Sequence, residues 1–394
     1  MKNKNILISG ASIGGPALAY WLSRHGFDVT VVERSAALRS GGQAIDVRGP
    51  ALDVAERMGI LDDIRRMSTS IRGMSMVDST GKELFRSTER TLTDLEFDSP
   101  DIEVMRDDLS KLIYRAAGEQ EHVEYLFGDS IASLDQNDDG VRVTFERNAP
   151  RTFDLVVGAD GLHSNVRRLA FGPESEFIRH LGTYLAVFTA PNFLDLDHWQ
   201  VLCAAEKAWG GVMSARDNTE LRVYLGFEPD EPLVYDFRDT EAHKQILADR
   251  LAHAGWEFPK ALTYMWDAPD FHFDSMSQIH MDSWSRGRVV LLGDAGYCGS
   301  PMSGQGTSMA MVGAYVLAGE LKAAEGDHNV AFAAYEKELR EYVTQNQELA
   351  LSNKARLEAE VAALTGAAAP EQDAETPELQ DFAEVVNSLT VKDY

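Results

Sequence analysis

The chain has 394 residues, 44% hydrophobic and 25% charged, enough for two or three domains with substantial cores. Its 37 basic and 63 acidic residues give a formal net charge of −26, which excludes the basic footprint a nucleic-acid partner needs. The two cysteines, Cys203 and Cys298, lie far apart without a second ligand pair, so a disulfide framework or zinc site is not expected and a reducing, cytoplasmic setting is.

The N-terminus MKNKNILISGASIGG enters glycines too early for a signal peptide, and no stretch approaches the roughly 20 apolar residues of a membrane span. Ile6, Leu7 and Ile8 form a β-type run, ALAYWLSRHG has helical spacing, and Val29 to Val32 give a second strand, a βαβ unit. After the polar loop SGGQAIDVRGP, residues 51–67 read as helix. Residues 71–97 alternate as a hairpin around a turn at Asp78 to Gly81, and 103–118 return to helical spacing. Short strands with an Asn-Asp-Asp-Gly turn at 137–140 fill 122–157.

From about 180 to 275 aromatic-rich strands such as TYLAVFTA and LRVYLGF dominate, with a helix near 240–254, so a mostly β second domain is expected. RVVLL at 288–292 returns to the first domain and precedes a helix over 307–323. A long Ala-, Glu- and Leu-rich helix over 329–364, an acidic linker and a short helix over 377–389 close the chain.

The turn after the first strand has the Rossmann pattern: Gly10 for the tight bend, Gly15 for close helix packing, and Ser12 where a second glycine is usual, with Ile13 and Gly14 beside it. Glu33 ends the second strand, followed by Arg34, and its carboxylate suits a ribose hydroxyl pair. The fingerprint fits NAD or FAD equally, since both present an ADP half.

Two further motifs bear on the choice. DLVVGADGLHSNVR, residues 154–167, carries Asp160, Gly161, Ser164 and Arg167, and GDAGYCGSPMSGQGTSMA, residues 293–310, sets an acid among five glycines before a helix. These resemble the Asp-Gly and Gly-Asp motifs of the class A FAD-dependent aromatic hydroxylases. The resemblance covers nearly the whole chain and is particularly close to the tetracycline-inactivating and related polyketide-modifying members, whose loop after the first βαβ unit resembles SAALRSGGQAIDVRG.

The resemblance implies an α/β fold: a Rossmann-like FAD-binding domain of the p-hydroxybenzoate hydroxylase kind, an inserted mostly β substrate domain and a long C-terminal helix. The FAD-binding domain would comprise 1–70, 100–178 and 276–328, the substrate domain 71–99 and 179–275, and the helical tail 329–394. Asp294 would hold the ribityl chain, and Asp160 would lie near the pyrophosphate. Pro301, Gly304, Gln305, Gly306 and Thr307 would sit beside the isoalloxazine ring. Arg39, Asp46 and Arg106 match cofactor contacts. Many members have histidine where Tyr297 stands and asparagine near Ser308, and Cys298 reads as a small packed thiol rather than a covalent flavin anchor.

The implied activity is hydroxylation of an aromatic or polycyclic small molecule, such as a tetracycline-like antibiotic, by NADPH or NADH and dioxygen through a flavin C4a-hydroperoxide. No catalytic side chain is expected beyond the flavin. Alternation places Tyr184, Phe188, Met213, Arg216 and Tyr224 as candidate substrate-lining residues, with apolar positions such as Val187 arguing against tetracycline itself. No Trp-x-Trp-x-Ile-Pro segment favours a halogenase. An FAD-containing sequestering protein without turnover is the alternative, and the expected assembly is a monomer or homodimer.

Overall fold

The computed structural model of the protein describes residues 2–89, 91, 99–205, 207–366 and 380–394. Fully buried apolar side chains on Asn5–Ser9, Leu155–Gly158 and Val289–Leu291 allow these strands to lie inside a sheet. That six-stranded sheet runs Ser285–Arg286, Val289–Leu291, Leu155–Gly158, Asn5–Ser9, Asp28–Glu33, Val123–Phe127, with only Ser285–Arg286 antiparallel to its neighbour. Helices Gly14–Arg24 and Gly306–Ala323 pack together beside it.

The second large sheet has seven strands, in the order His272–Ile279, Ile178–Pro191, Glu220–Phe227, Ala208–Ala215, Gln200–Ala205, Met74–Val77, Glu83–Ser87. One face buries Tyr184, Phe188, Val212, Leu221, Val223, Leu225 and Phe227 in a core shared with residues of helices Thr240–Leu251 and Phe258–Met265. The period of two then turns Val187, Met213, Arg222 and Tyr224 to the opposite face. There Met213, Ala215 and Tyr224 meet Ala44 and Met105. These last two are paired residues of the antiparallel ladder Ala44–Val47/Ile102–Met105, which lies between the sheets.

The single helix expected over 51–67 is two helices, Pro50–Met58 and Leu61–Arg66, because Gly59 adopts φ 75° and ends the first in a left-handed cap. The tail helix runs His328–Thr365, started by the Asp327 carboxylate accepting from Asn329 N–H and stopped at Gly366. Of the expected last helix, Phe382–Val386 is observed; residues 377–379, and 90 and 92–97 of the expected hairpin, lie outside the described residues. The tail helix fastens both sheets' surroundings: Gln347 Nε2 donates to the carbonyls of Ile279 (2.8 Å) and Cys298 (3.1 Å), Asn353 to Met302 (2.9 Å) and Lys354 to Leu181 (3.0 Å).

The segment after Leu155–Gly158 acts as a strut. Arg167, fully buried, donates to the carbonyls of Ala295 (2.8 Å) and Leu162 (2.6 Å) and pairs with Glu174 at 2.8 Å. His163 spans Glu174 (2.9 Å) and Asp274 (3.1 Å), the latter on the outer strand of the seven-stranded sheet. Burial opposes its charge, but the hydrogen bonds to Asp274 and Glu174 prevail and raise its pKa from 6.5 to about 9. A raised folded-state pKa adds stability that is complete below pH 6.5 and is lost as pH rises through about 9. Thermal unfolding of wild type against His163→Gln across this range should therefore show a gap that is widest in acid and closes toward pH 9 or so; a gap that is constant with pH would contradict the ion-pair account.

Candidate cofactor site

Four chain segments, three of them carrying the motifs, meet at one edge because their strands are parallel and end in register: Ser9 stands beside Val32 and Gly158, and Gly158 beside Leu291. The turns that leave these strands converge on the crevice outside the carboxyl ends, the place where open α/β sheets take ligands.

In the first turn Gly10 has φ 106°, and a Cβ there would stand 2.3 Å from the carbonyl oxygen of Ala159. The turn therefore needs glycine both for its conformation and for contact with the Asp160 segment. A Cβ on Gly15 would meet the Gly10 carbonyl oxygen at 1.9 Å, whereas Gly14 has ordinary clearance, with Leu292 at 3.4 Å. Ser12 is exposed and does not close the turn; its hydroxyl accepts from Arg106 Nη1 at 3.3 Å, and its carbonyl accepts from Ser110 at 3.1 Å. Ile13 is buried as the cap of helix Gly14–Arg24, whose first turn has no acid. Glu33 secures the loop, one carboxylate oxygen accepting from Ala11 N–H and the other from Ser35 N–H, each at 2.9 Å. Each oxygen keeps a second lone pair for a diol. Arg34 is exposed beside it.

On the facing wall Arg106 is buried at the start of helix Arg106–Gly118 and donates to the carbonyls of Arg39 (3.0 Å) and Gly41 (2.9 Å). Burial, and then the charge of Arg39, depress its pKa to about 9, so a further anion here would be welcome. Its Nε has no partner. Arg39 is open to solvent but crowded by the cleft; burial lowers its pKa against the opposing pull of Glu33, Asp270 and Asp274. Asp46 is buried away from it and paired with Arg48 at 2.8 Å.

Asp160 accepts from Ser164 Oγ, from Val166 N–H at 3.1 Å and from Ser9 Oγ at 3.3 Å, so it organises the capped helix after it. Asp294 begins a short helix, Asp294–Tyr297. Its side chain is accessible from the cleft yet deeply enclosed by protein, and that enclosure raises its pKa. A Cβ on Gly306 would lie 3.8 Å from Asp294 Oδ1, so this acid flanks the start of the 18-residue helix Gly306–Ala323.

That helix has no acid in its first turn and no side-chain cap at Gln305. Its first N–H groups, which include those of Gly306 and Thr307, lack intrahelical acceptors and carry the positive end of the helix dipole. The approach to it is strained: Ser300 has φ 74°, followed by the exposed Pro301 and a left-handed Gly304. The amide of Gln305 is fully buried with neither Oε1 nor Nε2 partnered. Ser308 looks inward, its hydroxyl accepting from Arg48 N–H at 3.1 Å.

Several residues that the sequence pattern assigns to the site take other places. Tyr297 is buried against Trp284, with its hydroxyl 2.9 Å from that of Tyr335. Tyr184 and Phe188 are corrected from lining candidates to core: they belong to the strand positions on the far face of the seven-stranded sheet, where Tyr184 stacks with Phe227 and Phe273. Arg216 pairs with Asp107 (3.0 Å) and Asp108, joining the sheet to helix Arg106–Gly118. Met213 and Tyr224 lie on the opposite face of the sheet from Tyr184 and Phe188, packed with Ala44 and Met105, and Met213 is itself buried. The Cys298 thiol is buried, pushed well above its ordinary pKa mainly by that burial, and donates to Ser277 O, so it is a poor nucleophile.

Arg222 escapes a reading by motif, although its place two residues before Tyr224 in LRVYLGF puts both on one face of the strand. His163 stands out in sequence only as part of DLVVGADGLHSNVR, and no spacing announces its partner 111 residues away.

The donor set fits FAD. A glycine cradle and the Glu33 carboxylate stand at one end, buried or crowded arginines beside them, and a helix N-terminus with no acid in its own first turn, flanked by Asp294, at the other. Among the described residues no cluster of metal ligands occurs and no helix is long and apolar enough to cross a membrane.

Comparison with known proteins agrees. The FAD binding domain family matches residues 3–350. A Mycobacterium tuberculosis protein of uncharacterised function is 55% identical over 391 residues, spanning 99% of this chain and 100% of that one. A flavin-dependent monooxygenase of Legionella longbeachae is 41% identical over 346 residues, 88% of this chain and 87% of the relative. The crystal structure of tetracycline destructase Tet(51) superposes with a TM-score of 0.86 at 37% identity, covering all of both chains. The chain thus belongs to the FAD-binding-domain family of flavin-dependent monooxygenases, with FAD as its cofactor.

Proposed function

We propose that this protein takes a hydride from NADPH or NADH and uses dioxygen to place one oxygen atom in a phenolic or polycyclic small molecule, the second oxygen leaving as water. FAD, when bound, supplies the electron transfer and oxygen activation. The observation that carries the reading is the N-terminus of helix Gly306–Ala323, which has no acid in its own first turn and offers unpaired N–H groups next to the Asp294 carboxylate, a donor set for an electron-rich ring with a polyol chain beside it.

The chain's own tasks are binding, orientation and exclusion of water. Gly10, Ser12, Ile13, Gly14 and Gly15 form the phosphate turn, with Glu33 for the ribose and Arg34 at the rim. Arg39, Arg106 and Asp160 shape the middle, with Asp46 behind them paired to Arg48. Asp294 receives the ribityl hydroxyls, and Pro301 to Thr307 border the ring. A substrate would approach from the side of the seven-stranded sheet that bears Val187, Arg222 and Tyr224, where apolar side chains suit a flat ring system. In this reading 1–70, 100–178 and 276–328 bind FAD, 71–99 and 179–275 bind substrate, the tail helix braces them within one cytoplasmic protomer, and no nucleic acid or membrane takes part.

Asp294→Ala removes a charged acceptor and should weaken FAD binding by about 10- to 100-fold in a flavin titration. Tyr297→Phe, which deletes only the contact with Tyr335, should leave that affinity unchanged while costing about 1 kcal/mol in denaturant unfolding. A panel of phenolic and polyketide compounds should contain one that stimulates NADPH consumption and gains a single atom of label from isotopic dioxygen. Flavin reduction with no label entering any product would overturn the oxygenase reading and leave a flavoprotein without oxygen transfer.

A further inference from the structure

The segment carrying Arg39 and Asp46 crosses from the six-stranded sheet toward the seven-stranded one, and side chains of the latter hold it. Arg222 is 2% exposed in the middle of Glu220–Phe227, a strand otherwise apolar between its ends. Its Nε donates to Gly42 O at 2.9 Å, Nη1 to Thr189 Oγ1, and Nη2 pairs with Glu220 at 3.0 Å. Two residues on, the hydroxyl of Tyr224 accepts from Ala44 N–H at 3.0 Å.

Thr189 in turn is fixed by Asp270, whose Oδ1 accepts from its N–H at 3.0 Å. Asp270 also abuts the loop, since a Cβ on Gly41 would lie 1.9 Å from its Oδ2. From the other side Arg106 binds the carbonyls of Arg39 and Gly41. The loop is gripped by two arginines, and both guanidiniums are removed from water. A buried guanidinium is retained at a cost unless its hydrogen bonds are made, so releasing the loop would take from Arg106 its two carbonyl acceptors and leave Arg222 with Thr189 and Glu220 alone.

We infer that Arg222 and Tyr224 are positioning residues that clasp residues 39–46 against the substrate-side sheet and thereby set the wall of the FAD crevice. The inference rests on the FAD assignment for its consequence, though the clasp itself exists without ligand. It also reassigns Tyr224, whose hydroxyl is engaged by the loop at Ala44.

The test uses the full chain with Tyr224→Phe, which deletes one oxygen, and Arg222→Gln, which keeps a polar amide but removes the charge and shortens the side chain. Hydrogen exchange of the FAD-free protein should show residues 39–46 exchanging several-fold faster in both variants, with the core strands unchanged. In flavin titrations each should raise the FAD dissociation constant by roughly three- to tenfold. On an Arg106→Gln background, where the loop has already lost its other grip, the added effect of Arg222→Gln should shrink, because the two act through one element.

Unchanged exchange at 39–46, or fully multiplicative effects of the two arginine changes on FAD affinity, would overturn the clasp. If wild type took up no FAD at all, the cofactor assignment would fail instead, and the exchange measurement would still decide the clasp.

Discussion

The structure depends on parallel strands that stop together. With Ser9 beside Val32 and Gly158, and Gly158 beside Leu291, four chain segments must leave the sheet through one narrow edge. Their backbones can pass only if side chains are absent at the crossings, which is why the Gly10 turn touches the Ala159 carbonyl and tolerates no Cβ. The same crowding produces the chemistry: helix N-termini and strand-end acids, remote in sequence, are brought to face one crevice.

Around that edge, charge is arranged so that each buried ion leans on another segment. Arg167 holds the Ala295 carbonyl, His163 reaches Asp274, and Arg106 holds the loop at Arg39 and Gly41. Groups that look like ligand contacts in isolation are therefore also structural ties. Asp160 and Glu33 show this most directly, since both accept backbone N–H groups of the turns beside them. Under the proposed FAD assignment cofactor binding and folding share these residues, and substitutions there would disturb both.

Much of this is legible in the sequence because it obeys local rules. The Rossmann turn, the strands of the parallel sheet and the long tail helix depend on periodicity and glycine placement within a few residues. Features that depend on partners far along the chain are not legible in the same way. Alternation correctly separates two faces of Ile178–Pro191, but it does not say which face meets the cofactor side, so it puts Tyr184 and Phe188 on the wrong one. Tyr297 sits in the cofactor loop by sequence and in the helix core by structure, because Tyr335, 38 residues later, offers its hydroxyl a partner. Arg222 is hidden by the same effect: its reason for burial is a carbonyl 180 residues earlier.

The central claim is that the crevice orients FAD with its ring toward helix Gly306–Ala323. A crystal structure of the purified yellow protein tests it most directly. The expected result is the pyrimidine edge of the ring within hydrogen-bonding distance, about 3 Å, of the first N–H groups of that helix, and a ribityl oxygen on Asp294. A flavin bound with its ring away from Gly306 and Thr307, or with Asp294 left untouched, would contradict it.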